Sequence, residues 1–184
     1  MDSMNSIPIL YVEDEEADVV LLQHVLGKLG IHNPLQTVKD GKLAKDYLAG
    51  EQPFSDRQRH PLPGLVLLDL NLPYWSGFEV LEWIRQQPQL RRVPVLVFSS
   101  SNRPDDIARA YDAGANGYLV KPNALAELTS LVMALRDFWL LHNRFPDTCG
   151  AVAPGAAGQA ASRRWKTTEE PGTAKPQPKM ADGK

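Results

Sequence analysis

The sequence predicts an α/β fold in which five parallel strands form a doubly wound sheet. Five short aliphatic segments alternate along the first 145 residues with segments of helical periodicity. Strands that are aliphatic throughout and separated by helices are typical of a parallel sheet covered on both faces. With 184 residues, of which 43% are hydrophobic, the chain has enough apolar surface for one packed domain.

The predicted strands and helices alternate strictly. The strands are "PILYV" at 8–12, "PLQTV" at 34–38, "GLVLLD" at 64–69, "VPVLVFS" at 93–99 and "GYLV" at 117–120. The first helix carries apolar residues at helical spacing from Val19 to Leu29, and Gly30 ends it. The later helices are expected from Lys42 to Ala49, from Phe78 to Gln86, from Pro104 to Gly114 and from Ala124 to His142. The long, proline-punctuated segment at 50–64 is expected to be an irregular surface loop.

The last 39 residues, 146–184, differ from the rest in composition. Of these residues 18 are Ala, Gly or Pro, and only Val152, Trp165 and Met180 are large and apolar. Such a segment buries too little surface to offset the entropy lost on ordering it. We therefore expect a folded domain at 1–145 and a disordered tail at 146–184.

Charge and hydropathy argue against several classes of function. The formal net charge of −2 gives no general attraction to nucleic acid or to an anionic membrane. No apolar run approaches the ~20 residues of a membrane helix. The N-terminal "MDSMNS" also lacks the basic start and apolar stretch of a signal peptide. The sequence thus predicts a cytoplasmic protein that binds neither nucleic acid nor membrane.

Polar side chains stand where the predicted strands end. Glu13 and Asp14 follow the first strand, and Asp69 follows the third. Ser99 and Ser100 stand at the end of the fourth strand, and Lys121 follows the fifth. Because the carboxyl ends of parallel strands joined by right-handed crossovers meet at one edge of the sheet, we expect these side chains to converge. Three carboxylates, hydroxyl groups and an ammonium group at one edge would form a chemical site.

The three acids predict a divalent cation, since clustered carboxylates repel one another unless a cation joins them. Mg²⁺ prefers oxygen ligands and keeps several waters, which suits a site with few protein ligands. We expect Asp14 and Asp69 to coordinate it directly. Glu13 would act through a water and Asn71 through its backbone carbonyl. A carboxylate beside Mg²⁺ and opposite Lys121 can attack a phosphoryl group, because both cations neutralise the phosphoryl charge. Asp69 is the candidate nucleophile.

Four motifs carry the residues of this site. They are "YVEDEEADV" at 11–19, "LLDLNLPYWSG" at 67–77, "VLVFSSS" at 95–101 and "GANGYLVKP" at 114–122. In this order and spacing they resemble the receiver domain of two-component response regulators, over roughly residues 7–142. The resemblance implies a (βα)5 flavodoxin-like fold with strand order 2-1-3-4-5. It also implies a phosphoacceptor switch and not an enzyme with a separate substrate: a histidine kinase phosphorylates Asp69 with Mg²⁺ as cofactor, and the site helps to hydrolyse the product.

The resemblance assigns further roles. Lys121 would bind a phosphoryl oxygen, and the Lys121–Pro122 peptide bond would be cis. Ser99 would supply the hydroxyl group that moves toward the phosphoryl group, and Ser100 would add a hydrogen-bond donor near the phosphoryl group. Tyr118 would be the aromatic side chain that swings inward. Phosphorylation would thereby change the face formed by the fourth helix, the fifth strand and the fifth helix.

Features outside the site predict the partners. The segment "LRDFWL" at 135–140, the long loop at 50–64 and the absence of a folded output domain resemble single-domain regulators that pair with bacterial phytochrome kinases. The last helix also has apolar residues beyond the stripe that would face the sheet, namely Met133, Phe138, Leu140 and Leu141. A helix that is apolar on more than one face favours a partner, so we expect a homodimer through the same output face.

Three alternatives belong to other classes. An aspartate-nucleophile phosphatase would also use Mg²⁺, but such enzymes normally need a second acid two residues after the nucleophile, where this chain has Asn71. A nucleotide or flavin binder would need a glycine-rich phosphate loop after the first strand, where acids stand instead. A receiver-shaped scaffold that acts without phosphorylation would not need the complete set of site residues that the chain carries.

Overall fold

The computed structural model describes residues 7–146, which form a five-stranded parallel sheet flanked by helices. The strands are β1 Ile9–Val12, β2 Leu35–Val38, β3 Leu65–Leu68, β4 Val95–Ser99 and β5 Gly117–Val120. The helices are α1 Glu16–Lys28, α2 Gly41–Ala49, α3 Gly77–Gln86, α4 Pro104–Asp112 and α5 Leu125–Leu135, followed by a π-helix at Arg136–His142. The predicted fold class is confirmed.

The strands lie in the order β2-β1-β3-β4-β5 and are all parallel, as predicted. Strands β1, β2 and β3 end side by side at the carboxyl edge. Val12 at the end of β1 pairs with both Val38 and Leu68, the last residues of β2 and β3. At the other side of the sheet Ser99 pairs with Val120. The residues that follow these strands therefore enter the same edge, which is the place that the sequence predicts for the site.

Two apolar layers cover the sheet. One packs α2 and α3 against it, and the other packs α1 and α5 against the opposite face. The predicted apolar stripe of α1 is buried at Leu22, Val25 and Leu26. All side chains of β1, β3 and β4 are buried, whereas the edge strands β2 and β5 are only partly so. The central strands are therefore the rigid platform from which the site residues emerge.

The start of α3 is packed directly against the end of β3. A capping box closes its N-terminus: the Ser76 side chain accepts a hydrogen bond from the Glu79 amide, and the Glu79 carboxylate accepts one from the Ser76 amide at 2.8 Å. Gly77 is required by space, since a Cβ at this position would lie 2.1 Å from the Asp69 carbonyl oxygen. The turn between Asp69 and α3 is thereby held close to the sheet.

The predicted loop at 50–64 lies at the surface and is fastened to α2. The Tyr47 hydroxyl group donates to the Pro61 carbonyl at 2.8 Å. The Arg57 guanidinium group donates to the carbonyls of Tyr47 at 2.7 Å and Leu48 at 2.8 Å, which satisfies acceptors that the end of a helix leaves open. The ring of Phe54 packs beside that of Tyr47, with 5.2 Å between centroids. These contacts hold the loop in one conformation.

The helix predicted from Ala124 to His142 is present over that range, but its second half is not α-helical. Its α-helical part ends at Leu135, and the following seven residues wind as a π-helix. A π-helix has more residues per turn than an α-helix. The adjacent side chains of Trp139 and Leu140 both pack against the apolar layer of α1 and α5. Leu140 therefore does not belong to the exposed apolar set that the sequence predicts.

The expected cis bond between Lys121 and Pro122 is also wrong. Within residues 7–146 the cis peptide bond joins Gln52 and Pro53 instead. The two isomers of an X-Pro bond differ little in energy, so the surrounding structure decides between them.

Two further sequence predictions concern the C-terminal tail and membrane-spanning helices. The predicted tail at 146–184 lies outside the described residues, apart from Pro146. Within the described part, none of the helices combines the length and the hydropathy needed to cross a membrane.

Candidate functional site

The predicted polar residues meet at the carboxyl edge of the sheet, around the ammonium group of Lys121. Its Nζ lies 2.5 Å from Glu13 Oε2, 2.8 Å from Asp18 Oδ2 and 3.2 Å from Asp69 Oδ2. A lysine ammonium has three hydrogens to donate, and here each has a carboxylate acceptor. We call these four residues the Lys121 cluster.

Burial strengthens the interactions within the Lys121 cluster. The side chains of Lys121, Glu13 and Asp69 are 12%, 1% and 6% exposed, whereas that of Asp18 is 37% exposed. Burial by itself would lower the pKa of Lys121. The hydrogen bonds and charges of the three carboxylates outweigh it and raise the pKa to about 12. The ammonium group is therefore charged at physiological pH and suited to bind an anionic oxygen.

Glu13 is buried and has donors on both of its oxygens. Its Oε2 accepts from the Tyr11 hydroxyl group at 2.7 Å as well as from Lys121, and its Oε1 accepts from the Glu15 amide at 3.3 Å. Burial raises the pKa of Glu13, and the hydrogen bonds from Lys121 and Tyr11 offset only part of that rise. A carboxylate in this situation is stabilised by any further cation beside it.

Asp69 is held by the backbone that follows it and by Lys121. Its Oδ1 accepts from the Leu70 amide at 2.6 Å, and the Asn71 amide lies 3.5 Å from the same oxygen. Its Oδ2 faces the Lys121 ammonium group. Because β3 is buried and Gly77 packs against the Asp69 carbonyl, the carboxylate is held firmly at the sheet edge.

The acids of the site fit a divalent cation. Glu13, Asp14 and Asp69 each have a carboxylate oxygen within 4.8 Å of such an oxygen on the other two. Asp14 is exposed, whereas Glu13 and Asp69 are buried. Carboxylate oxygens are the hard donors that Mg²⁺ and Mn²⁺ accept. A cleft of about 490 Å³ opens beside Glu13 and Asp14, which leaves room for the waters that such an ion keeps. Asn71 is exposed next to this group, and its carbonyl role stays a prediction.

The loop after β4 is held by Ser101, a residue to which the sequence assigns no role. Ser101 Oγ donates to Asp106 Oδ2 at 2.5 Å, and the Ser101 carbonyl accepts from the Tyr118 hydroxyl group at 3.0 Å. The Ser101 amide donates to Ser99 Oγ over a long 3.5 Å. We call Ser99, Ser101, Asp106 and Tyr118 the Ser101 latch. Ser99 is fully buried, whereas Ser100 next to it is exposed.

Tyr118 is half-buried and joins the latch to the protein interior. Its ring packs against a small apolar cluster that includes Phe78, Val97 and Ala110. Burial raises the pKa of Tyr118, so its hydroxyl group remains a donor. Because that group is bonded to the Ser101 carbonyl, a movement of the loop would change the position of the ring.

Sequence reasoning missed four residues of this edge: Tyr11, Asp18, Ser101 and Asp106. A signal exists for Tyr11, because side chains two residues apart on a strand face the same side, which places it with Glu13. Asp18 stands in the first turn of the helix that follows the acids, a second usable signal. Nothing comparable in the sequence indicates the bonds of Ser101.

Comparisons with known proteins agree with this geometry. The family model of the response regulator receiver domain matches residues 9–133. Response regulator Rcp1 of Synechocystis sp. is 41% identical over 132 residues, which cover 72% of this chain and 88% of Rcp1. The probable methanogenesis regulatory protein FilR2 of Methanothrix harundinacea is 38% identical over 138 residues, which cover 75% and 86% of the two chains.

Solved structures show the same likeness. The crystal structure of the Mn²⁺-bound form of Rcp1 has a TM-score of 0.69 and 38% identity, and the match covers 76% of this chain and 99% of that one. The phosphorylated cyanobacterial phytochrome response regulator RcpA has a TM-score of 0.70 and 39% identity, with 76% and 98% covered. The resemblance predicted from the four motifs is confirmed. The chain belongs to the response regulator receiver domain family and is a response regulator of a two-component phosphorelay.

Proposed function

We propose that this protein is a phosphoacceptor switch in which Asp69 receives a phosphoryl group from a histidine kinase. The observation that carries the proposal is the Lys121 cluster, where a buried ammonium group joins the carboxylates of Glu13 and Asp69. A firmly held carboxylate beside a cationic group is the arrangement that nucleophilic attack on a phosphoryl group requires.

In the proposed transfer, an oxygen of Asp69 attacks the phosphorus of a phosphohistidine on the kinase. The O–P bond forms as the P–N bond breaks, and the electron pair of the broken bond returns to the imidazole nitrogen. Lys121 exchanges its hydrogen bond to Asp69 Oδ2 for one to a phosphoryl oxygen and keeps those to Glu13 and Asp18. A bound Mg²⁺ would supply further positive charge against the phosphoryl oxygens.

The residues that would hold Mg²⁺ lie at the carboxyl edge of the sheet, around the group of three carboxylates. Asp14 and Asp69 are proposed as direct ligands, Glu13 as a ligand through water, and Asn71 as a carbonyl ligand. Support comes from the grouping of the three carboxylates and from the Mn²⁺ in the similar Rcp1 structure.

The same site is proposed to remove the phosphoryl group. A water attacks the phosphorus, the Asp69 O–P bond breaks, orthophosphate leaves, and the carboxylate is restored. Asn71 stands where an aspartate-nucleophile phosphatase would have its second acid, and an amide cannot protonate the leaving group of an external ester. We therefore propose self-dephosphorylation without turnover of other substrates.

Phosphorylation would act on the Ser101 latch. Within residues 7–146, the hydrogen bond of Ser99 Oγ is the 3.5 Å bond from the Ser101 amide, which is readily replaced by a bond to a phosphoryl oxygen. Ser100 would add a second donor after the loop moves inward. Tyr118 would follow because its hydroxyl group is bonded to the Ser101 carbonyl. The face formed by α4, β5 and α5 would change as a result.

That α4-β5-α5 face is also the proposed homodimer interface. It and the adjoining π-helix expose large apolar side chains: Tyr111, Val120, Leu125, Met133, Phe138 and Leu141. Exposed apolar surface of this extent is typical of interaction sites. Light scattering at micromolar concentration checks this proposal, and a monomer both with and without phosphorylation would contradict it.

We propose a bacterial phytochrome kinase as the donor and no nucleic-acid partner. Support comes from the similarity to RcpA, a phytochrome response regulator, while the net negative charge disfavours nucleic acid. The decisive experiment mixes the protein with such a kinase and labelled ATP. Wild type and the control Asp112→Asn, an exposed acid of α4, should be labelled, and Asp69→Asn should not. Labelling that persists in Asp69→Asn would refute the site.

A further inference from the structure

Tyr11 is a buried residue of the site that the proposed mechanism does not use. It lies on β1 two residues before Glu13, on the same side of the strand, and is fully buried. Its hydroxyl group donates to Glu13 Oε2 at 2.7 Å. A tyrosine hydroxyl group has one hydrogen to donate, and here Glu13 accepts it.

The hydrogen bond from Tyr11 makes the two oxygens of Glu13 unequal. Oε2 accepts from both Tyr11 and Lys121, and a carboxylate oxygen has about two acceptor positions, so Oε2 is filled. Among the residues that the structure describes, Oε1 accepts one bond, from the Glu15 amide at 3.3 Å, and keeps an acceptor position. Oε1 is therefore the oxygen available to a cation or to a water bound to it.

Tyr11 is better suited than Lys121 to fix this arrangement. Its ring is packed in the layer of α1 and α5 and lies beside Phe98, with 6.0 Å between centroids, so the hydroxyl group cannot turn away. The Lys121 ammonium group is shared among Glu13, Asp18 and Asp69 and would exchange its bond to Asp69 when a phosphoryl group arrives, whereas the Tyr11 hydroxyl group donates to Glu13. The bond from Tyr11 would persist through that change.

We propose that Tyr11 is a positioning residue for the divalent cation: its hydroxyl group fixes the Glu13 carboxylate so that Oε1 is presented to the ion or its water. The inference rests on the metal site of the proposed function. Hydrogen-bond partners of metal ligands typically change metal affinity by about 10- to 100-fold when they are removed. We expect Tyr11→Phe to weaken cation binding by about ten-fold.

The test is a titration with Mn²⁺, followed by the electron paramagnetic resonance signal of the free ion. Tyr47→Phe is the matched control, because Tyr47 is equally buried and its hydroxyl group also loses one hydrogen bond, to Pro61, in the layer of α2 and α3. Tyr11→Phe should bind Mn²⁺ about ten-fold more weakly, while Tyr47→Phe stays close to wild type. Unchanged or tighter binding by Tyr11→Phe, or an equal loss in both variants, would overturn the inference.

A double-mutant cycle separates positioning from a general effect on the fold. If Tyr11 acts through Glu13, adding Tyr11→Phe to Glu13→Gln should produce no further loss of Mn²⁺ affinity. An undiminished further loss would overturn the inference. Asp14→Asn tests the metal site itself: if it abolishes Mn²⁺ binding seen in wild type, the site stands whatever Tyr11→Phe does. If wild type binds no Mn²⁺, both the metal site and the role of Tyr11 are wrong.

Discussion

The Lys121 cluster and the Ser101 latch lie at the same sheet edge but are built from different interactions. In the Lys121 cluster a buried ammonium group meets three carboxylates at 2.5 to 3.2 Å. The Ser101 latch uses hydroxyl and backbone groups, with Asp106 its one charged member, and its bond to Ser99 is 3.5 Å long. Charged hydrogen bonds are stronger than neutral ones. The difference indicates a rigid part for phosphoryl chemistry beside a part that is weakly held at Ser99 and can rearrange there.

The magnitudes support this division of roles. A neutral hydrogen bond contributes about 1 kcal/mol, so exchanging one bond of the latch shifts a two-state equilibrium by roughly five-fold. A phosphoryl group offers several acceptor oxygens, and it can therefore change the conformation of the latch without disrupting the cluster that holds it.

The largest expected effect is that of Lys121→Met. Removing the ammonium group leaves the buried carboxylates of Glu13 and Asp69 without a compensating positive charge, which should lower the free energy of unfolding by about 3 to 5 kcal/mol. Urea unfolding in metal-free buffer measures this, with Lys42→Met, an exposed lysine of α2, as the control. A loss no larger than that of Lys42→Met would show that the cluster is not the rigid part.

Addition of a divalent cation should have the next largest effect. At about 100 times its dissociation constant, Mg²⁺ should raise the free energy of unfolding of wild type by about 2.7 kcal/mol. Asp14→Asn should lose most of this gain in the same urea assay, and Ser101→Ala should retain it. If Mg²⁺ no longer raised the free energy of unfolding of Ser101→Ala, the Lys121 cluster and the Ser101 latch would not be separate regions.

Ser101→Ala should have a smaller effect, confined to the switch. The variant loses the bond from Ser101 Oγ to the charged Asp106 carboxylate, worth about 1.5 kcal/mol, and should favour the rearranged loop roughly ten-fold. Light scattering of the unphosphorylated protein should then show dimers at lower concentration than for wild type. Ser55→Ala, in the surface loop, serves as the control. An unchanged dimerisation midpoint would contradict a role of the latch in output.

Asp18→Asn should have the smallest effect on the free energy of unfolding. It tests whether Asp18 contributes to the Lys121 cluster as its buried carboxylates do. Asp18 is the most exposed of the three carboxylates, so its loss should lower the free energy of unfolding by less than about 1 kcal/mol. High salt should reduce the difference from wild type, because screening acts on exposed charges. Urea unfolding at low and high salt measures both, with Asp56→Asn as the control. A loss as large as that of Lys121→Met would place Asp18 in the buried core of the site.

The sequence by itself determined the fold and the composition of the site. Aliphatic runs alternating with helices specify a parallel sheet, and in such a sheet the ends of all strands meet. Glu13, Asp69 and Lys121 could be assigned to one edge because each directly follows a strand. That assignment needs only local pattern and topology, and no knowledge of side-chain conformation.

The tertiary structure decided which atoms touch at that edge. Asp18 reaches Lys121 across 103 residues of chain, and Ser101 receives its bond from Tyr118 across 17. Such contacts depend on rotamers and on the packing of neighbouring elements, which no periodicity encodes. The π-helix at 136–142, in which Trp139 and Leu140 pack against the layer of α1 and α5, and the isomer of the Lys121–Pro122 bond were likewise not predicted from the sequence pattern.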